Sequence, residues 1–171
     1  MKIHFQVLFV IGLLFFSGRS FSLERYIGFS QEQVSNLGGD VLGGGMWGNN
    51  FALDMRLING KVHIFLIEFY GSDKKQPNGA KRKASRATDF LVVKLEKGER
   101  ISDGASFRCH DGETSVIGIF LKKWAKEKER FPASRAWKIN QLSKKIVPLT
   151  TVRSVSCDWF RNGDEDFPKN F

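Results

Sequence analysis

Residues 107–114 read FRCHDGET and set Cys109, His110 and Asp111 in consecutive positions. A thiol, an imidazole and a carboxylate are the parts of a cysteine hydrolase: nucleophile, base and orienting acid. Neighbours on an extended strand point to opposite faces, so three consecutive residues make poor geometry for a shared substrate atom. The chain holds one other cysteine, Cys157. Which chemistry the pair serves depends on the compartment.

The chain begins MKIHFQVLFVIGLLFFSGRSFS, with Lys2 ahead of an uncharged apolar run from Val7 to Phe16. That pattern reads as a cleavable signal peptide over residues 1–22. The run falls short of the roughly 20 apolar residues that span a bilayer. Ser20 and Ser22 supply small side chains before a mature start near Leu23. The expected location is periplasmic or secreted, an oxidising setting in which two cysteines pair. Closing the loop between Cys109 and Cys157 would remove chain entropy worth about 4 kcal/mol from the unfolded state. The reading is therefore a Cys109–Cys157 disulfide rather than a catalytic thiol, with Asp111 and Gly112 in a turn.

Other chemistry is sparse. His63 and His110 are the histidines past the leader. Either could serve with Glu68 and an arginine as the base, acid and phosphate-binding cation of a secreted ribonuclease-like hydrolase. Zinc sites ask for several close ligands, and two scattered histidines do not supply them. Asp164, Glu165 and Asp166 run consecutively and miss the alternating ligand positions of a calcium loop. GGDVLGGGMWGNN, residues 38–50, lacks the lysine and hydroxyl residue of a phosphate loop. It is expected to be a flexible connection leading into a sheet. No cofactor and no metal are expected, and no catalytic residue is assigned.

The elements around these residues are mostly strands. Ser30 and Gln33 form a capping box for a short helix from Gln31 to about Leu37, stopped by Gly38 and Gly39. Asn59-Gly60 between two apolar runs asks for a type I′ hairpin, because both positions need positive φ. Its register places Leu57 opposite Val62, Met55 opposite Ile64, Leu53 opposite Leu66 and Phe51 opposite Glu68 on a core face. The second face, with Arg56 opposite His63, Asp54 opposite Phe65 and Ala52 opposite Ile67, is mixed, so half solvated or covered by something small. Residues 71–86, with Pro77, Gly79, Lys74, Lys75, Lys81, Arg82, Lys83 and Arg86, read as an exposed loop. Strands are expected from Ala87, from Thr114 and up to Cys157, with a second hairpin at 135–149 in which Trp137 and Ile139 face inward. Residues 125–135 are an exposed crossover with one helical turn ended by Pro132. Residues 158–171 form a loosely held tail. The fold class is mainly β, a small antiparallel sheet or partly closed barrel with short helical turns and one disulfide, in a single domain over residues 23–171.

From about Ile64 to Cys157 the order of features resembles an uncharacterised family of small secreted proteobacterial proteins with two cysteines. The matching positions are Leu95, Gly98, Gly104, Cys109, Gly112, Ala136, Trp137, Asn140 and Cys157. The resemblance implies the same disulfide and strand order, and it supplies no activity.

The formal net charge is +9, and removing Lys2 and Arg19 with the leader leaves about +7. Such a balance attracts an acidic protein, an anionic surface or nucleic acid. Nucleic-acid binders interleave aromatics with cations, and the 71–86 stretch has none, so nucleic acid fits worst. Trp124, beside Lys122 and Lys123, is a second contact candidate, and Trp47 is expected to be partly exposed. The combined expectation is a non-catalytic secreted binding protein, of inhibitor or immunity type, that engages an acidic extracytoplasmic partner through Lys74, Lys75, Lys81, Arg82, Lys83, Arg86 and Trp124. The competing expectation is a basic hydrolase acting on phosphodiesters.

Overall fold

The computed structural model describes residues 24–75, 81–104 and 106–159, with side-chain detail omitted at 24, 73–75, 81, 82 and 127. The leader expected over 1–22 and the acidic run at 164–166 lie outside the described residues.

Asn59 (φ 51°) and Gly60 (φ 72°) take the two left-handed positions of the hairpin turn. They join β2 (Phe51–Ile58) to β3 (Lys61–Lys75). The register is the expected one at every pair, from Leu57 opposite Val62 to Phe51 opposite Glu68. β1 (Asp40–Trp47) lies beyond β2 and β4 (Lys81–Val93) beyond β3, so the first sheet runs β1-β2-β3-β4, all antiparallel.

The second sheet is built from short strands: β5 (Glu99–Ile101), β6 (Phe107–Asp111), β7 (Thr114–Leu121), β8 (Arg130–Pro132), β9 (Arg135–Asn140), β10 (Lys145–Pro148) and β11 (Val155–Trp159). Its order is β10-β9-β7-β6-β11-β8, with β5 pairing on β7. β8 and β9 are nearly continuous, yet β8 pairs with β11 while β9 pairs with β7. The sheet therefore curls, though it forms no closed barrel. Pro132 sits in β8 instead of ending a helix; the helical turn is α2 (Lys122–Glu127), just before it. Asp158 and Trp159, expected to begin the loose tail, are instead the end of β11, paired with Arg108 and Phe107.

The principal core lies between the sheets. Leu53, Met55, Ile64 and Leu66 from the first sheet meet Ile101, Ile117 and Ile119 from the second, with Trp137 and Ile139 packed at the margin. Each fully buried side chain of this size is worth roughly 1.5–3 kcal/mol. A second cluster inside the curl holds Phe107, Phe120 and Phe131 around the disulfide, with Phe107–Phe120 and Phe120–Phe131 centroids 5.1 and 4.8 Å apart.

The mixed outer face of the first hairpin is covered by the segment from Tyr26 to Leu37. The capping box is present: Ser30 Oγ accepts from the Gln33 N–H at 3.2 Å and Gln33 Oε1 from the Ser30 N–H at 2.8 Å. It opens α1 (Gln31–Ser35), whose Val34 packs with Tyr26 and Phe29 on Phe65, Ile67 and Phe90. Tyr26 meets the Phe65 and Phe90 rings edge-on at 5.6 and 5.2 Å. Arg56 is buried beneath α1, donating to Asp54 at 2.8 Å and to the Ser35 carbonyl at 3.1 Å. A cation suits that position, because carbonyl dipoles gather at a helix C-terminus.

Two corrections to the sequence reading follow from backbone pairing. The glycine-rich stretch is not a flexible connection: Asp40–Trp47 is β1, paired to β2 along its length apart from a register shift between Val41 and Gly43. Residues 71–75 and 81–86 are likewise not loop but the outer halves of β3 and β4. In both places an antiparallel neighbour supplies a hydrogen-bond ladder that outweighs the turn-forming composition.

No helix among the described residues is long and apolar enough to cross a membrane.

Candidate functional site

Cys109 and Cys157 face each other across β6 and β11 and are joined as a disulfide. Both are buried. Gly118 on β7 makes room for the bond, since a Cβ there would fall on Cys109 Sγ and lie 3.2 Å from Cys157 Sγ. The neighbouring break between β5 and β6 is closed by Ser102, whose Oγ accepts from the Gly118 N–H at 2.9 Å. The trio at 109–111 is thus dispersed. Cys109 turns into the curl, His110 lies opposite Ser115 and Ser156 on the other face, and Asp111 ends β6 opposite Thr114. The turn itself is Gly112-Glu113, one residue later than expected.

The face of β6 that carries Arg108 and His110 forms one wall of a cleft of about 570 Å³ between the two sheets. Its opposite wall is β1 from Gly44 to Trp47, and its floor includes Leu53, Met55 and Val116. The cleft has a definite cause in the sequence. β1 pairs Gly43 with Met55, Gly45 with Leu53 and Trp47 with Phe51, so these three β1 positions share the core-facing side. Two of the three are glycine. At Gly43 the absent side chain lets the chain approach Asp103, whose carbonyl accepts from the Gly44 N–H at 2.9 Å. At Gly45 nothing lies within 4 Å of where a Cβ would stand. The space beside Gly45 stays open because the edge strand contributes no side chain there, while at Gly43 it is taken by Asp103. Asp103 also lines the cleft, but one of its carboxylate oxygens accepts from the N–H groups of Ser106 and Phe107 at 2.7 and 2.9 Å. Arg108 Nε donates to the Gly104 carbonyl at 3.4 Å on the cleft rim.

The basic residues singled out in the sequence fall in three settings. β2 pairs with β3 only as far as Glu68, and beyond it β3 and β4 continue as a two-stranded arm to Lys75 and Lys81. The ladder sets Lys74 opposite Arg82 and Lys75 opposite Lys81; their side chains lie outside the described atoms. Lys83 is exposed at the arm's base, on a groove it shares with Tyr70, Leu142 and Lys144. Arg86 is committed elsewhere. Its guanidinium bonds Glu68 at 2.9 Å and lies 4.9 Å from the centre of the Tyr70 ring. Lys144, from the β9–β10 turn, reaches the other Glu68 oxygen at 2.6 Å. The Lys144 hydrogen bond holds the Glu68 carboxyl below its usual range, against the opposing effect of burial and with help from Arg86. Trp124 is half-buried, packed on the inner aromatic cluster from α2, and α2 rests on β7 and β8, not on the arm.

The turn beside the groove is stiff. Asn140 Oδ1 accepts from the N–H groups of Leu142 and Ser143, both at 3.1 Å, and Lys144 takes φ 54°. Leu142 at its tip is 97% exposed.

The groups of the hydrolase reading do not meet. His63 lies on the outer face of the first sheet against Phe65, Glu68 on the inner face, and His110 on the other sheet. Among the described residues His63 Nδ1 is buried without a hydrogen-bond partner, and burial together with the nearby Lys61 charge lowers its pKa. No group of three or more potential metal ligands occurs among the described residues.

The cleft is the feature that sequence reading missed. Its signal was the alternation Gly43, Gly45, Trp47, legible only once the stretch is taken as a strand in register with β2. Comparison of the chain with protein-family models, curated proteins and solved structures finds no match.

Proposed function

We propose that this protein is an extracytoplasmic binding protein of inhibitor or immunity type, which holds an acidic partner with the outer half of the β3–β4 arm. The observation that carries the reading is the arm's register. Lys74 opposite Arg82 and Lys75 opposite Lys81 set like charges directly across a ladder, an arrangement that costs stability when the strands stand alone. An acidic surface against the arm offsets that repulsion. Tyr70, 44% exposed, and Leu142 stand at the arm's base as apolar contacts beside the cations. Such a combination suits a protein partner, in which a buried apolar anchor adds to charge complementarity. The disulfide belongs to the same picture, since an intramolecular bond of this kind persists in oxidising compartments.

The test is capture from periplasmic and extracellular extracts at low and high salt. It compares the unaltered protein with a variant in which Lys74, Lys75, Lys81, Arg82 and Lys83 are serine. Arg86 is left in place because it supports Glu68. The expected result is one acidic protein, bound at low salt, released at high salt and lost with the variant. Equal capture by the variant would refute the reading. So would turnover of a phosphodiester by the purified protein that disappears in His110→Ala, which would establish the hydrolase instead.

A further inference from the structure

We propose that the groove between the base of the β3–β4 arm and the β9–β10 turn takes an extended acidic segment of the partner protein, with one aromatic side chain of that segment seated between Tyr70 and Leu142. The inference rests on the reading of the arm as a surface for an acidic partner, and it names the part of the partner that the groove accepts.

The groove, about 560 Å³, opens where β2 stops pairing with β3. The last rung there is the Phe69 N–H donating to the Asn50 carbonyl at 2.8 Å. From Tyr70 onward β3 has only β4 as a strand neighbour among the described residues. An extended segment can therefore continue the sheet along the line that β2 leaves, a mode in which backbone bonds give affinity and side-chain contacts give specificity. The two apolar walls of the groove project into solvent, and both are held in place. The Arg86 guanidinium lies 4.9 Å from the centre of the Tyr70 ring while bonded to Glu68. Leu142, 97% exposed, caps a turn that Asn140 fixes from within. The same turn is tied to β4, because Asp89 accepts from Lys145 Nζ at 3.2 Å and from the Ile146 N–H at 2.7 Å. Walls that are already ordered lose little conformational entropy on binding. An aromatic ring suits the space between them, since it buries a large area with few rotatable bonds. Charge decides the rest of the segment. Glu68 is the one carboxylate lining the groove among the described residues, and Arg86 and Lys144 both bond it. Lys83 is a third cation, so one carboxylate against three cations leaves a local charge of +2. Carboxylates on either side of the aromatic anchor are attracted to that surplus.

Three capped pentapeptides, EEFEE, EEAEE and QQFQQ, test the groove by calorimetric titration of the disulfide-bonded protein at low salt. EEFEE is expected to bind at least about tenfold more tightly than either of the others, which lack the anchor or the charge. Leu142→Ser should weaken EEFEE by at least about fivefold and leave EEAEE unaltered, as a direct contact with the ring requires. Val41→Ser is the control. Val41 is also exposed, but it pairs with Arg56 far along the sheet from Phe51, so this variant should bind all three peptides like the unaltered protein. Both variants should keep the urea midpoint, since neither side chain is buried. No binding of EEFEE, equal affinity for EEFEE and EEAEE or for EEFEE and QQFQQ, or an equal loss in Leu142→Ser and Val41→Ser would each overturn the proposal. So would EEFEE binding that is unaltered in Leu142→Ser; if an extract protein is still captured through the arm's cations, the arm keeps its role and the groove alone loses its own. The expected peptide ranking with no captured protein would have the opposite meaning, upholding an acidic-peptide groove and removing the inhibitor or immunity reading.

Discussion

Replacing both Cys109 and Cys157 by alanine removes the disulfide without leaving a lone buried thiol. The two residues are separated by 48 positions, so the bond shortens the unfolded chain by a loop whose closure entropy is worth about 4 kcal/mol. The folded state loses little backbone order, because Cys109 and Cys157 remain directly opposite on β6 and β11, where five residue pairs hold the ladder. The sulfur atoms are buried in the aromatic curl, and their removal adds a packing loss on the order of 1 kcal/mol. The full cost should therefore be about 4–5 kcal/mol, a large part of the stability of a domain this size. Urea unfolding followed by tryptophan fluorescence is the assay. With a slope of about 2 kcal/mol/M, the midpoint should fall by about 2 M. The slope itself should rise, since an unfolded chain without the cross-link exposes more surface. A midpoint loss below about 0.5 M would refute the reasoning that the bond acts on the unfolded state. Two titratable thiols in the unreduced protein would refute the pairing itself.

Gly118→Ala should obstruct the same bond, because its Cβ meets Cys109 Sγ. A loss of about 1–3 kcal/mol, as for overpacking, and a lower oxidised fraction by non-reducing electrophoresis are expected. His63 should make stability pH-dependent. Burial and the nearby Lys61 hold its folded pKa below the ordinary histidine value of about 6.5, so the unfolded chain takes up the proton first. Stability is complete above about pH 6.5 and falls as pH drops below that value toward the folded pKa. Urea midpoints measured from pH 7.5 to pH 5 should show this decline, and His63→Leu should remove its share of it.

Much of the fold was readable because its signals are local. Asn59-Gly60 specifies a turn by backbone conformation alone, and the turn then dictates every pair from Leu57–Val62 to Phe51–Glu68. Ser30 and Gln33 specify the start of α1 by two hydrogen bonds within four residues. The disulfide was readable from the count of cysteines and the leader expected over residues 1–22. The glycine-rich strand and the basic arm were not readable, since glycine, lysine and proline suggest loops unless a neighbouring strand is known. The candidate site was only half visible. The arm's charges stand out in sequence, but their separation into an outer group, an exposed Lys83 and an Arg86 tied to Glu68 depends on which partners each strand meets.

The sequence by itself determined the mainly β character, the first hairpin with its register, the helix cap and the pairing of the two cysteines. Each of these follows from backbone preference, side-chain alternation or composition, which act over a few residues or on the whole chain regardless of path. Only the tertiary structure decided that residues 24–37 cover the outer face of the first hairpin and that Arg56 is buried under α1. It alone brought Gly118 against the disulfide and left the missing side chain at Gly45 as a cleft facing Arg108 and His110. These depend on which surfaces meet when two sheets pack, and the energy of such a contact belongs to the pair of surfaces rather than to either segment.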